Sequence, residues 1–209
     1  LRQVLGSRAI ALGEQRAGCT QAPGGTGALR LAGEFIAKCL PGRSIWLSDP
    51  TWPIHETLFA AAGLRVQHYP YVGAENRLDV DGMLAALQQV PCGDVVLLHG
   101  CCHNPTGANL TADQMAQVIA LMQTKGAMPF IDIASGLGDG LEADAQITRQ
   151  IASAFDNCLI AASCSKNFGI YRERTGILMA VARDAAEQGI AQQNLAFLNR
   201  QNYSFPPDH

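Results

Sequence analysis

Short apolar runs alternate with helical patterns along this chain, and this alternation is the feature that most limits its fold. The runs at residues 94–99, 130–133 and 158–162 are apolar at nearly every position rather than at every second one. A strand with this pattern is covered on both faces. Such strands, separated by helices, predict an α/β fold with a mostly parallel sheet and helices on both of its faces.

The same patterns predict the other elements. Extended segments are expected at residues 44–48, 64–69 and 175–182, and helices at 26–39, 54–62, 80–89, 112–124, 146–155 and 185–199. A helical pattern also covers residues 1–16. The helix at 112–124 opens with a capping signal, because Gln114 follows Thr111 by three residues. No repeat or linker interrupts the chain, so we interpret residues 1–209 as one domain.

Composition excludes several classes of protein. The chain has 16% charged and 48% hydrophobic residues, which is typical of a globular domain. A formal net charge of −3 does not suit binding to nucleic acid or to an anionic membrane. No apolar run is long enough to cross a bilayer, and no signal peptide opens the chain. The seven cysteines are odd in number and form no C-x-x-C pair, so we expect reduced thiols in the cytoplasm.

Cys101, Cys102 and His103 are consecutive residues of the types that bind metals. Adjacent residues rarely direct their side chains at one ion, and the sequence offers no second cluster of ligands. We therefore expect no metal site.

One lysine stands in a setting that suits chemistry. Lys166 follows the strand at 158–162 and lies between Ser165 and a glycine-containing turn, with Arg174 a few residues further on. A lysine near other cations and partly shielded from water loses its proton more easily and can form a Schiff base. Hydroxyl groups and an arginine suit a phosphate. Lysine and phosphate site together indicate pyridoxal phosphate, although a surface lysine after a strand is also common.

Two further polar residues lie at the ends of predicted strands, where ligands bind in an open parallel sheet. Asn104, in an Asn-Pro-Thr-Gly turn, could donate to the cofactor's phenolate oxygen, or could serve only the turn. Asp132 would be a costly buried carboxylate without a partner, and a protonated pyridine nitrogen would be such a partner. The alternative for Asp132 is a helix cap.

The start of the first full helix and a nearby tryptophan complete the set. Gly25 and Thr26 lie where backbone amides at a helix N-terminus can bind phosphate. Trp52, after the strand at 44–48, could stack on a flat ring or simply fill the core. Each signal is weak alone, but their joint occurrence at successive strand ends favours a pyridoxal phosphate site.

The chain resembles the fold-type I, class I aminotransferases, and most closely the subfamily that acts on aspartate and aromatic amino acids. The resemblance covers essentially the whole chain. The segments that carry it are residues 23–30, 52–55, 99–107, 132–134 and 163–169, extended by Arg174 and by residues 200–204.

The resemblance implies a role for each matching residue. Lys166 matches the lysine that forms the Schiff base and moves the proton, and Asp132 matches the partner of the pyridine nitrogen, with His99 supporting Asp132 from behind. Asn104 matches the donor to the phenolate oxygen and Trp52 the stacking ring, and both also border the substrate. The residues that match the phosphate site are Gly25, Thr26, Ser163, Ser165 and Arg174.

The resemblance also implies partners. Arg200 matches an arginine that reaches into the neighbouring subunit's site and binds the distal carboxylate of a substrate. That match implies a homodimer that transfers amino groups between an amino acid, such as aspartate, and 2-oxoglutarate. Relatives that act on aromatic substrates keep this arginine, so the preference for aspartate or aromatic amino acids stays open.

Three departures from the family pattern are visible. Family members have a tyrosine after the segment that matches residues 132–134, whereas here Ser135 and Gly136 follow Ala134. Losing that second donor to the phenolate oxygen should slow turnover. The N-terminal arm and the C-terminal small domain of the family are also missing, so we interpret residues 1–209 as the cofactor-binding large domain of a longer enzyme.

Two other functions are considered for this chain. A non-catalytic module that binds the cofactor or an effector would explain the missing tyrosine, but no basic DNA-binding segment accompanies it. A plain nucleotide-binding domain fits poorly, because it would not need Lys166, Asp132 and Asn104 together.

Overall fold

The computed structural model describes residues 10–133 and 141–204. The seven strands are β1 (Ala17–Pro23), β2 (Ser44–Asp49), β3 (Arg65–Pro70), β4 (Val95–His99), β5 (Met128–Ile133), β6 (Cys158–Ser163) and β7 (Thr175–Val181). The α-helices are α1 (Ile10–Gly13), α2 (Gly24–Cys39), α3 (Ile54–Ala61), α4 (Val80–Leu87), α5 (Ala112–Lys125), α6 (Leu141–Ala154) and α7 (Ala185–Tyr203). A short 3₁₀ helix spans Ala74–Asn76.

These seven strands form one mostly parallel sheet in the order β1-β7-β6-β5-β4-β2-β3. Strands β2 to β6 pair with one another in parallel, and β7 runs antiparallel to both of its neighbours, β6 and β1. Strand β1 therefore points the same way as the parallel strands. The carboxyl ends of six strands, together with the start of β7, meet at one edge of the sheet.

Helices cover both faces of the sheet, as the continuous apolar runs predict. Successive strand residues alternate between two cores: Val96 and Leu98 pack with α4, α5 and α6, whereas Val95 and Leu97 pack with α2, α3 and α7. All four side chains are at most 2% exposed. Burying an aliphatic side chain of this size contributes about 1.5–3 kcal/mol, so each strand stabilises both layers. The predicted fold class is confirmed.

Helix α5 has the ends that its sequence predicts. The Thr111 hydroxyl accepts from the Gln114 amide, and the Gln114 side chain accepts from the Thr111 amide. Gly126 follows the helix with a left-handed φ of 65°. The capping box satisfies two backbone donors at one end, and the glycine adopts a conformation that costs other residues more at the other end.

The structure differs from the sequence predictions near the N-terminus. Strand β1 was not predicted, because its residues, Ala17–Pro23, are mostly small and lack the apolar pattern of the other strands. It forms by pairing with β7, more than 150 residues away in sequence. The predicted helix at residues 1–16 was wrong in its last part: α1 ends at Gly13, and Gln15 has a φ of 56°. Residues 1–9 lie outside the described part.

Other boundaries shift by a few residues. Helix α2 begins two residues earlier than predicted, at Gly24, and α6 begins five residues earlier, at Leu141. Helix α7 extends to Tyr203. Within the described residues, no helix combines the length and apolar character needed to cross a membrane.

Candidate active site

The polar residues predicted from the strand ends lie around one cavity of about 270 Å³. All nine residues predicted to bind the cofactor line it: Gly25, Thr26, Trp52, Asn104, Asp132, Ser163, Ser165, Lys166 and Arg174. Leu29 and Tyr171, which the sequence analysis did not single out, complete the lining. The cavity lies at the carboxyl edge of the sheet, where parallel α/β proteins bind ligands.

The sheet brings these residues together although they are distant in sequence. Asp132 is next to the last residue of β5 and pairs in register with His99 on β4 and with Ala161 on β6. Lys166 lies in the turn between β6 and β7, and Arg174 immediately precedes β7. Because β1 ends at this edge too, the N-terminus of α2 faces the same turn. These residues therefore meet because the strands that carry them end or begin at the same edge of the sheet.

An arginine and two serines adjoin the N-terminus of α2. The Arg174 guanidinium donates to the Ser165 hydroxyl at 3.3 Å and to the Tyr171 carbonyl at 3.1 Å. The Ser165 amide donates to the Ser163 hydroxyl at 3.1 Å. Two serine hydroxyls, a fixed guanidinium and free helix N–H groups form a concave set of donors suited to an anion.

Gly24 permits the close approach of Arg174 to this helix end. Its φ is 70°, and a side-chain Cβ there would lie 2.5 Å from Arg174 Nη2. Any larger residue would push the guanidinium away. The segment at residues 24–27 was proposed from sequence as a phosphate site. The close approach of Arg174 explains why its first residue is glycine.

The carboxylate of Asp132 is held from one side by a histidine. His55 Nε2 lies 3.1 Å from Asp132 Oδ2, and His55 Nδ1 lies 2.8 Å from the Thr51 hydroxyl. His55 is 0% exposed and Asp132 2%. The other carboxylate oxygen, Oδ1, is buried and has no hydrogen-bond partner among the described residues. A buried oxygen in this state is costly unless a ligand donates to it.

His55, rather than His99, makes the contact that we expected behind Asp132. His99 lies close by, with its ring centroid 5.5 Å from that of His55, but neither of its ring nitrogens has a hydrogen-bond partner among the described residues. Burial, with His103 nearby, lowers the pKa of His99 to about 3, so the ring is neutral. His55 is part of the segment 52–55 noted in the sequence, but its position on α3 gave no sign of a partner on β5.

His103 fixes the turn that carries Asn104. Its ring lies 3.0 Å from the Ser48 hydroxyl through Nε2 and 2.9 Å from the Thr106 hydroxyl through Nδ1, and it stacks on Tyr71 with ring centroids 3.7 Å apart. Burial lowers the pKa of His103 to about 4. Both ring nitrogens already have partners, so His103 is not available as a metal ligand.

Within the described residues, His55, His99 and Asp132 form the one group close enough to hold a metal ion, with donor atoms within 4.8 Å of one another. Two of these three residues are committed to each other by the hydrogen bond described above. The Cys101-Cys102-His103 run is not such a group.

Two residues singled out in the sequence, Arg200 and Ser135, are not placed at this cavity. Arg200 is exposed on α7 and is not among the residues that line the cavity. The segment after Ala134, where the family has its tyrosine, lies outside the described residues, and so does Ser135.

Comparison with known proteins identifies the family. The family model described as "Aminotransferase class I and II" matches residues 2–208. The chain is 58% identical over 206 residues to an aromatic-amino-acid aminotransferase of Pseudomonas aeruginosa, a match that covers 98% of this chain and 52% of the relative. It is 42% identical over 208 residues to an aspartate aminotransferase of Escherichia coli, covering 99% and 52%. The chain thus spans about half the length of these curated relatives.

Solved structures agree with the sequence matches. An aromatic amino acid aminotransferase from Burkholderia cenocepacia superimposes with a TM-score of 0.96 at 40% identity, covering 100% of this chain and 53% of that one. The same TM-score, identity and coverage hold for an aromatic-amino-acid aminotransferase from Burkholderia pseudomallei, whose structure has pyridoxal phosphate covalently bound. A family model that matches almost the whole chain and a shared fold lead to one conclusion: this chain belongs to the class I and II aminotransferase family.

Proposed function

We propose that this chain forms the cofactor-binding domain of a pyridoxal-phosphate-dependent aminotransferase, which transfers an amino group between an amino acid and 2-oxoglutarate. The observation that carries the proposal is the single cavity that joins Lys166, Asp132 and the anion-binding end of α2. A lysine, a buried carboxylate and a phosphate site are the three groups that this cofactor requires.

The phosphate end of the cofactor fits the donors at the N-terminus of α2. Arg174 would bind the phosphate through charge-assisted hydrogen bonds, and Ser163, Ser165 and Thr26 would add hydroxyl donors. The close approach that Gly24 permits keeps the guanidinium beside the helix N-terminus. Positive charge from both sources would therefore act on the same anion.

The ring end of the cofactor fits Asp132. The free oxygen Oδ1 is buried and would accept a hydrogen bond from a protonated pyridine nitrogen, while His55 keeps the other oxygen in place. When bound, the cofactor supplies an electron sink that makes a substrate Cα–H bond acidic. A carboxylate fixed at the nitrogen favours the protonated ring, which is the better sink.

Lys166 is the catalytic residue of the proposal. Lys166 lines the cavity with Asp132 and Asn104. Its ε-amino group would hold the cofactor covalently in the resting enzyme and accept the Cα proton from substrate. Asn104 would donate to the phenolate oxygen, and Trp52 would cover one face of the cofactor ring. The Trp52 ring also makes an edge-on contact with the ring of His55.

The substrate and the assembly form part of the same proposal. Relatives named for aromatic amino acids and for aspartate both match this chain, so we propose that the whole enzyme accepts dicarboxylic and aromatic amino acids. Arg200 would act in the site of a second copy within a homodimer, and its exposed position away from its own cavity is compatible with that role. The cytoplasmic location stays a prediction.

The two alternative functions are less favoured. A binding module without catalysis would not require a lysine in the same cavity as the ring-nitrogen partner. A nucleotide-binding domain would not require the buried unpaired oxygen of Asp132.

Covalent trapping tests the proposal. The protein that contains this chain would be loaded with pyridoxal phosphate, reduced with borohydride and mapped by mass spectrometry. We expect a pyridoxyl group on Lys166, its loss in Lys166→Ala and its retention in Lys125→Ala, a lysine at the end of α5 remote from the cavity. A pyridoxyl group that stays absent from Lys166 in the wild-type protein would overturn the cofactor assignment.

The reaction is tested separately from cofactor binding. Single-turnover half-reactions with aspartate and with phenylalanine, followed by the cofactor's absorbance, should each convert the bound cofactor to its amine form. A protein that traps the cofactor on Lys166 but converts with neither amino acid would be a binding module.

A further inference from the structure

A second cavity lies at the same edge of the sheet, on the face covered by α5 and α6. It measures about 260 Å³ and shares no lining residue with the candidate active site. Cys101 and Cys102 both line it, and neither residue has a role in the proposed transamination. All seven cysteines of the chain are free thiols.

The two thiols face one cavity although they belong to adjacent residues. Side chains of neighbouring residues in a strand point to opposite faces, which is why the sequence argued against a shared ligand. Here β4 has ended at His99, and Cys102 has a left-handed φ of 52° that turns the chain. Both cysteines are only half-buried, so a reagent can reach them.

The two adjacent thiols of Cys101 and Cys102 suit a ligand with one atom that bonds to both sulfurs. A zinc site needs about four donors, and these cysteines do not belong to the one compact metal-binding group among the described residues. A direct disulfide between them would be strained, because unstrained disulfides usually join Cα atoms about 4.4–6.8 Å apart, whereas adjacent Cα atoms are about 3.8 Å apart. An atom inserted between the sulfurs removes this conflict, because the sulfurs no longer have to bond to each other.

The cavity wall indicates which group the atom between the two sulfurs can carry besides those sulfurs. Polar residues such as Asn109 form part of the cavity wall, and its apolar part consists of Leu98, Leu110, Met115 and Ile147. An apolar cavity of about 150 Å³ is enough to hold benzene, so this larger cavity can accept a phenyl group.

We propose that Cys101 and Cys102 form a dithiol site for trivalent organoarsenicals, with the organic group against the apolar part of the cavity wall. The hydrated reagent has two hydroxyl groups on arsenic. Each thiol forms one arsenic–sulfur bond and gives its proton to a departing hydroxide, so two waters leave for each arsenic bound. Arsenic stays trivalent, no electron is transferred, and no oxidant is required. The site does not depend on the proposed aminotransferase activity.

The test uses phenylarsine oxide on the folded protein and intact-mass spectrometry. We expect one phenylarsenic group that survives excess 2-mercaptoethanol and is removed by 2,3-dimercaptopropanol, because the dithiol competes for both bonds. Cys101→Ser and Cys102→Ser should each lose this resistant adduct. Cys39→Ser and Cys164→Ser, which alter half-buried cysteines outside this cavity, should keep it.

Two further measurements keep the outcome decisive. Tandem mass spectrometry of the wild-type adduct locates the arsenic even if a serine variant fails to fold, and its location on any other cysteine would overturn the proposal. The folded protein should bind phenylarsine oxide about tenfold or more tightly than arsenite, since the phenyl ring leaves water, and the preference should shrink in concentrated guanidinium. If the folded protein bound phenylarsine oxide and arsenite with equal affinity, the cavity would not contribute to binding of the phenyl group.

Discussion

At the scale of single residues, backbone conformation decides which side chains can cooperate. Gly24 is small enough for Arg174 to reach the helix N-terminus, and Cys102 turns the chain so that two adjacent thiols share a cavity. Neither effect depends on residue type alone. The same amino acids with ordinary strand dihedrals would point elsewhere.

Gly24→Ala tests the steric role of this glycine. The new Cβ would displace the Arg174 guanidinium, so we expect pyridoxal phosphate to bind at least about tenfold more weakly, the equivalent of one lost charge-assisted hydrogen bond. Fluorescence titration with the cofactor measures the change.

Gly42→Ala is the matched control for this substitution. Gly42 has a φ of 81°, but nothing lies within 4 Å of a Cβ placed there. This variant should lose about 1 kcal/mol of stability from its backbone conformation and bind the cofactor normally. Equal losses of binding in the two variants would show that the clash with Arg174 is unimportant.

At the scale of the element, local signals specify helix ends more reliably than helix lengths. The start of α5 was predictable because its capping box lies within four consecutive residues. The start of α6 and the end of α7 were not, because both helices extend beyond their most obvious apolar pattern.

Thr111→Ala should destabilise the protein by about 1 kcal/mol, because the Gln114 amide loses its acceptor. Urea unfolding followed by circular dichroism gives the free energy. Thr124→Ala is the comparison: Thr124 is exposed near the end of the same helix, and its hydroxyl bonds only the Ala120 carbonyl. We expect that variant to change stability by about 0.5 kcal/mol or less. A cost at Thr124 as large as at Thr111 would argue against the cap.

At the scale of the whole molecule, the sheet edge gathers three histidines from different elements. His55, His99 and His103 come from α3, β4 and the following turn, and Tyr71 packs on the last of them. Burial keeps the pKa of His103 near 4 and that of His99 near 3. In the unfolded chain, histidine takes up a proton at a pKa of about 6.5.

Stability should therefore fall as the pH is lowered from about 6.5 towards 4. In this window the unfolded state binds a proton that folded His103 does not, so protonation favours unfolding, and the loss is complete below the folded pKa. His103→Gln should reduce the slope of unfolding free energy against pH by about 1 kcal/mol per pH unit between pH 4.5 and 6. Urea titrations across this range measure both slopes. Equal slopes would mean that folding does not lower the pKa of His103.

Much of the site was predictable because the chemistry of each strand end is local. Asp132 lies at the end of a strand that the apolar pattern reveals, and Asn104, Lys166 and Arg174 lie in segments that follow or precede such strands. A parallel sheet brings residues at these positions to one edge. The contacts that were not predicted have a different origin. Strand β1 exists only through its pairing with β7, and the hydrogen bond between His55 and Asp132 joins residues 77 positions apart.

The sequence by itself determined the fold class, the family and most of the residues around the cavity, because apolar periodicity and strand-end chemistry are encoded in consecutive residues. Only the tertiary structure decided which histidine holds Asp132, how closely Arg174 approaches Gly24, and that Cys101 and Cys102 face one cavity. These features depend on distances between elements and on single backbone dihedrals. Neither quantity leaves a trace in the order of residue types.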